Sequence, residues 1–140
     1  MEIRKACNSD YVKIIRAIQN KGIAYITPKH IREDIDKNRQ YVMTDKGKVI
    51  SILSLVYDSD YGYYAMKRLC VTNRRNHGKG YAQLMIETIS NTVDGKVGCT
   101  PWTDNAPMRH TLEKLGFRLE YTFREKWCFY SKCSTKTMTI

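Results

Sequence analysis

The sequence predicts a mixed α/β fold, a mostly antiparallel sheet flanked by helices, with elements in the order β-α-α-β-β-β-α-β-α-β-β. Three observations carry this. Apolar residues recur at helical spacing in separate stretches, among them Tyr11, Ile14, Ile15 and Ile18, and later Tyr81, Leu84, Met85 and Ile89. Between these stretches lie strand-like runs broken by the turn sequences Asp45-Lys46-Gly47 and Asp58-Ser59-Asp60. A strand over Met66 to Val71 then hands over to a basic, glycine-bearing loop and a helix.

In chain order, Glu2 to Ala6 is a short strand, and Ser9 is the expected N-cap of the first helix, with Asp10 in its first turn. Asn20-Lys21-Gly22 is a helix stop. Thr27 caps a second helix with Pro28 at its first position, and Ile31 and Ile35 form a narrow apolar face. So few anchors suit a mobile lid. Gln40 to Thr44, Val49 to Tyr57 and Tyr63 to Val71 form an antiparallel meander, its second strand apolar enough to be covered on both faces. The helix after the loop runs to about Thr92, and Lys96 to Thr100 is a short strand ended by Pro101. Asp104 or Asn105 caps the next helix, whose stripe is Met108, Leu112 and Leu115 and whose stop is Gly116. Phe117 to Tyr130 reads as a long strand with a break near Arg124-Glu125, Ser131 to Ser134 as a turn, and Thr135 to Ile140 as a final strand.

The chain is expected to be a single domain, 1–140, long enough for a real core. No apolar run nears the ~20 residues that span a bilayer, and the N-terminus lacks a signal-peptide apolar region. No membrane association is expected, and the cytoplasm is the expected location. The five cysteines and three histidines are scattered, so no metal site is expected and the thiols read as reduced, mostly buried residues. A formal net charge of +10 favours an anionic partner without naming it. A small phosphorylated ligand, an acidic macromolecule or a plainly soluble basic surface all fit.

The loop is Arg74-Arg75-Asn76-His77-Gly78-Lys79-Gly80. A helix N-terminus offers unpaired amides and partial positive charge. Gly78 and Gly80 lack the Cβ atoms that would hold a ligand off, and Arg74, Arg75 and Lys79 add full charges. Together these describe a phosphate or pyrophosphate pocket. It is not a Walker loop, which needs Gly-Lys-Ser/Thr after a Gly and four residues. It is not a dinucleotide fingerprint either, because Gln83 stands where that pattern has its third Gly or Ala.

Arg75-Asn76-His77-Gly78-Lys79-Gly80 matches Arg/Gln-x-x-Gly-x-Gly/Ala and resembles the acetyl-CoA pyrophosphate loop of the Gcn5-related N-acetyltransferases (the GNAT family). Asn105 to Phe117, an Asn leading into a helix that ends Glu-Lys-Leu-Gly-Phe, resembles that family's second motif. The resemblance implies acetyl-CoA as co-substrate and an amine as acceptor, in a monomer or homodimer. It implies backbone contacts from Leu69, Cys70 and Val71 to the pantetheine, and amides from Arg75, Asn76, His77, Gly78, Lys79, Gly80 and Tyr81 around the pyrophosphate. It also places Asn105 at the thioester end, although a cap alone explains an Asn there equally well. The strands carrying Val71 and Thr100 would part to admit the cofactor.

Two positions depart from the family pattern, so the catalytic residues stay unassigned. Leu112 stands where many members have an acid Tyr, and Arg68 where many have a Glu. Tyr81, Tyr121 and Tyr130 are substitutes for the acid, and Cys70 is either an acyl carrier or a small buried residue. Lys67 or Arg68, facing the cleft, would select an acceptor bearing a negative group; on a solvated strand edge they would not. Trp102 and Tyr25 either line the acceptor side or sit in the core. A degenerate acyl-CoA-binding module is the alternative function. A winged-helix nucleic-acid binder is the third, and it is disfavoured by the long turn between the first helices and by Glu33, Asp34 and Asp36.

Overall fold

The computed structural model describes residues 1–19 and 26–140, with Arg74 described by its backbone alone. The expected stop at Asn20, Lys21 and Gly22, and Tyr25, lie outside the described residues. The elements are β1 (Glu2–Lys5), α1 (Tyr11–Gln19), α2 (Pro28–Asp36), β2 (Gln40–Asp45), β3 (Lys48–Asp58), β4 (Tyr63–Val71), α3 (Tyr81–Ser90), β5 (Gly95–Cys99), α4 (Ala106–Lys114), β6 (Arg118–Phe123) and β7 (Trp127–Ser134). The expected mixed α/β order is the observed one.

The strands form a seven-stranded sheet in the order β1-β2-β3-β4-β5-β7-β6. Helices cover it on two faces. On one, Ile14 and Ile18 of α1 and Ile31 and Ile35 of α2 pack on Val42, Ile52 and Cys70. On the other, Met85, Ile86 and Ile89 of α3 and Leu112 of α4 pack on Tyr41, Met43, Leu53, Val97 and Tyr130. Flat packing of α1 and α2 on a wide sheet is not a winged helix. Leu84, expected in the α3 stripe, is exposed, and Ile86 takes the inward place.

Local chemistry sets the helix starts. A 3-10 turn, Asn8–Asp10, precedes α1. Asp10, rather than the expected Ser9, meets the open amide there: its Oδ2 accepts from the Cys7 N–H at 2.8 Å and from Arg4 at 2.7 Å. Thr27 caps α2 as expected, its hydroxyl accepting from the His30 N–H at 3.3 Å with Pro28 next in line.

The C-terminal expectation needs correcting. The chain reverses at Arg124 and Glu125, both with positive φ (53° and 55°), so the expected break in a long strand is a hairpin turn. Ser131 to Ser134, expected as a turn, lie in β7 and pair with β5, Gly98 opposite Ser131 and Gly95 opposite Ser134. With β5 on one edge of β7 and β6 on the other, no ladder is left there for a last strand. Residues 135–140 are irregular, with the Lys136 N–H donating to Asp94 at 2.7 Å and the Thr137 N–H to Asn91 O at 2.8 Å.

Two irregularities set the course of β4. Its register against β3 shifts between Ile52 and Ser54, and Arg68 has φ 52°, the left-handed region. The extra residue reverses the facing of the strand: Met66 packs with α3, whereas Cys70, four residues on, packs with α1 and α2. On its other side β4 pairs in parallel with β5 only at Tyr64–Val97 and Ala65–Gly98.

Candidate functional site

Beyond Ala65 and Gly98 the two central strands part. β5 follows its other neighbour: Pro101 O accepts from the Cys128 N–H at 3.1 Å, and Trp102 bridges to Trp127. The end of β5 is therefore tied to β7, and β4 is tied to β3, where the Thr72 N–H donates to Ile50 O at 2.8 Å. The expected splay is present, with its wide end at Val71 and Thr100.

The backbone of β4 sorts the three residues expected to meet the pantetheine. Cys70 O accepts from the Ser51 hydroxyl at 2.9 Å, on the β3 side. Strand alternation then directs the backbone groups of Leu69 and Val71 toward the cleft. The Cys70 carbonyl departs from the expectation by facing β3, while its side chain, 4% exposed, lies in the α1–α2 apolar layer. That placement excludes it as an acyl carrier and supports the small-core-residue alternative. Val71 O lies 3.0 Å from His77 Nε2, which must donate to a carbonyl.

At the end of β4 the loop curls through a 3-10 turn, Arg74–Asn76, held by the Asn76 side-chain amide donating to Thr72 O at 3.0 Å. Gly78 (φ 74°) and Gly80 (φ 78°) both take the left-handed conformation that favours glycine. A Cβ added at either would meet nothing within 4 Å. Open space therefore lies over both glycines, next to exposed Arg75 and Lys79. Gly80 is the N-cap of α3, and the first bond of that helix is the Leu84 N–H to Gly80 O, 3.0 Å. The amides of Tyr81, Ala82 and Gln83 precede it and have no acceptor within the helix. Glycine cradle, amide row and cations together fit a diphosphate.

Asn105 caps α4, its Oδ1 accepting from the Met108 N–H at 3.3 Å. The cap explains this residue, and it is exposed.

The two departures from the family pattern are structural as well. Leu112 is fully buried between α4 and the sheet. Arg68 does not face the cleft. Its Nε donates to Asp34 Oδ2 at 3.1 Å, across to α2. Asp34, 1% exposed, also receives the Ser54 hydroxyl at 2.7 Å and faces Arg39 at 3.0 Å. The acceptor-selecting role considered for Arg68 thus loses its cation, leaving exposed Lys67. The lid expectation for α2 is corrected too, since a buried ion-pair cluster joins this helix to β3 and β4. Asp34 was legible in principle: three residues after Ile31 and one before Ile35, it falls on the inward face.

Of the candidate tyrosines, Tyr130 is fully buried, its hydroxyl donating to Glu113 at 2.8 Å and accepting from Arg109 at 3.1 Å. Burial raises its phenol above the ordinary value, against the opposing Arg109 bond. Tyr81 packs at the core margin. Tyr121 is exposed and stacks on Phe129 at 5.2 Å. That pair belongs to a run of rings on the sheet half that α1 and α2 leave bare: Tyr63, Phe129, Tyr121, Phe123, Trp127 and Trp102. Trp102, 55% exposed, is thus on the surface rather than in the core. The Cys99 thiol at the end of β5 is pushed up by burial to about 12, so it is no nucleophile at neutral pH.

Among the described residues no three of His, Cys, Asp and Glu converge to hold a metal, and no helix is long and apolar enough to cross a membrane.

No protein-family model matches the sequence, and no curated protein does. Solved structures do match. A GNAT-family acetyltransferase from Streptococcus agalactiae superposes with a TM-score of 0.81 at 19% identity, covering 96% of each chain. Ard1 from Thermoplasma volcanium gives 0.78 at 16% identity, covering 96% of this chain and 98% of that one. A spermidine N-acetyltransferase chimera from Vibrio cholerae and hSSAT gives 0.71 at 16% identity, covering 95% and 96%. The chain has the fold of the GNAT acetyltransferases.

Proposed function

We propose that the chain is an N-acetyltransferase that passes the acetyl group of acetyl-CoA to an amine by direct attack. The observation that carries this reading is the pairing of two features at one end of β4: a cleft where β4 and β5 part, and a glycine cradle with open space over it. A thioester on a long flexible arm ending in a diphosphate fits both at once. The structural neighbours support the same chemistry, and one of them is named for a polyamine acceptor.

The protein's part is mainly positioning, since a thioester is already activated. The amides of the first turn of α3, with Arg75 and Lys79, hold the diphosphate. The cleft-directed backbone of Leu69 and Val71 aligns the arm as an added strand would. A cleft-directed amide of β4, at Leu69 or Val71, is the donor this reading assigns to the oxygen that gains charge as the amine attacks the carbonyl. The amine must shed a proton and the coenzyme A thiolate must leave. With Leu112 buried and Arg68 turned to Asp34, solvent is the proton carrier this reading assigns.

Those same two residues favour a second reading, a domain that binds acyl-CoA without turning it over. Release of free thiol from acetyl-CoA, measured with pooled small amines and basic peptides, separates the two. Amine-dependent release supports the transferase. Saturable coenzyme A binding with no release above background supports the binding module.

A further inference from the structure

A groove of 1010 Å³ lies on the other side of β4 from the splayed cleft. Its walls are α1, the turn between β2 and β3, and the first residues of the loop after β4. Thr72 closes its base, donating through its hydroxyl to Val49 O at 2.7 Å. Each wall brings cations: Lys13 and Arg16 from α1, Lys46 and Lys48 from the turn, and Arg75 from the loop. Among the described residues none of these five makes an ion pair. The groove's carboxylate, Asp45, faces the N-terminal ammonium at 3.6 Å. Ion pairs form elsewhere, as at Arg4–Asp10, Arg39–Asp34 and Lys96–Glu120, but many surface cations among the described residues lack one; what sets these five apart is that they line one concavity.

Solvent screens these five exposed charges in part, and an anion seated among them relieves the repulsion that remains. The volume is that of an ordinary small-ligand site, ~300–1,000 Å³. Arginine forks and lysine ammonium groups together suit the several oxygens and near-double charge of a phosphomonoester better than a single carboxylate.

We infer that this groove is a second anion site, taking a phosphomonoester, which adjoins the diphosphate cradle at Gly78 to Tyr81 and shares Arg75 with it. The phosphate has two possible sources. One is the 3′-phosphate of coenzyme A reaching round the loop, which rests on the transferase function proposed for the cleft. The other is a separate phosphorylated small molecule, which needs no thioester in the cleft.

Calorimetric titration at fixed ionic strength tests this with three probes: coenzyme A, dephospho-coenzyme A and adenosine 3′-phosphate. Wild type is compared with Lys13→Gln/Arg16→Gln and with Lys46→Gln/Lys48→Gln, exposed positions whose folding is checked by thermal melts. If the cofactor is the source, wild type prefers coenzyme A over dephospho-coenzyme A by about tenfold or more, the worth of one or two charged hydrogen bonds, and the variants erase that preference. If the ligand is separate, wild type binds the two coenzymes alike, binds adenosine 3′-phosphate, and loses that binding in the variants. The inference is overturned if the variants bind every probe as wild type does. It is equally overturned if wild type neither distinguishes the coenzymes nor binds adenosine 3′-phosphate. A wild type that binds no coenzyme A at all sinks the transferase reading, and the adenosine 3′-phosphate arm still decides the groove.

Discussion

Arg68 reaches from a bulge in β4 to Asp34 on α2, its Nε 3.1 Å from the carboxylate. This link fastens the second helix to the strand that borders the cleft. Asp34 holds three side chains from three segments, Arg68, Arg39 and Ser54, in a place that water hardly reaches. Asp34→Ala should cost about 3–5 kcal/mol, because it leaves the part-buried Arg68 guanidinium without its acceptor, although the Ser54 hydroxyl can still donate to Gln40 Oε1 at 3.0 Å. Urea unfolding measures it. A loss under 1 kcal/mol would mean that the cluster is solvated and does not hold α2.

Gly98 predicts a packing effect. A Cβ there would lie 2.7 Å from Phe129 Cε1 and 2.9 Å from Tyr63 Cδ2. Phe129 is buried and packs edge-on against Tyr63, ring centroids 5.2 Å apart, so the added methyl must displace packed atoms. Gly98→Ala should therefore lower stability by about 1–3 kcal/mol. An unchanged melting temperature would show that the ring pair is loose.

Gly80 predicts the opposite division. Space is open around it, so the cost of Gly80→Ala comes only from its φ of 78°, about 1 kcal/mol of stability. The effect on coenzyme A should be larger, with affinity falling about tenfold as the new methyl enters the diphosphate cradle. Thermal melts and a binding titration on the same sample separate the two. Equal affinity in the variant would move the diphosphate away from this loop.

Asp10 predicts an acid dependence. Its hydrogen bond from Arg4 holds the carboxyl well below the usual carboxylate range. A depressed folded value contributes stability above the unfolded value of about 3.9 and loses it as pH falls through the folded value. Asp10→Asn should therefore be less stable than wild type at pH 7, and the difference should shrink steadily below about pH 4. A difference that stays constant from pH 7 to pH 2 would show that the charge of Asp10 contributes nothing.

The order of elements, both caps at Thr27 and Asn105, and the glycine loop were legible because each rests on local chemistry: a hydroxyl or amide one residue before a helix, or a glycine where φ is positive. What escaped depends on partners distant in sequence. Ser131 to Ser134 look like a turn in isolation, yet β5 supplies them with a ladder. The bulge at Arg68 has no glycine to announce it, and only the shifted register against β3 shows it. Helical spacing puts Asp34 beside the inward face of α2, yet nothing local shows that its partner is Arg68, 34 positions later. The cationic groove joins Lys13, Lys46 and Arg75 from three separate segments, so no single window of sequence contains it.

The most direct measurement is a titration of the purified, folded chain with coenzyme A, followed by heat and by melting temperature. Saturable heat and a melting temperature that climbs with ligand concentration are the predicted result, as for any ligand that binds only the folded state. No heat and no shift at millimolar coenzyme A would contradict the assignment of the glycine cradle and of the cleft beside it.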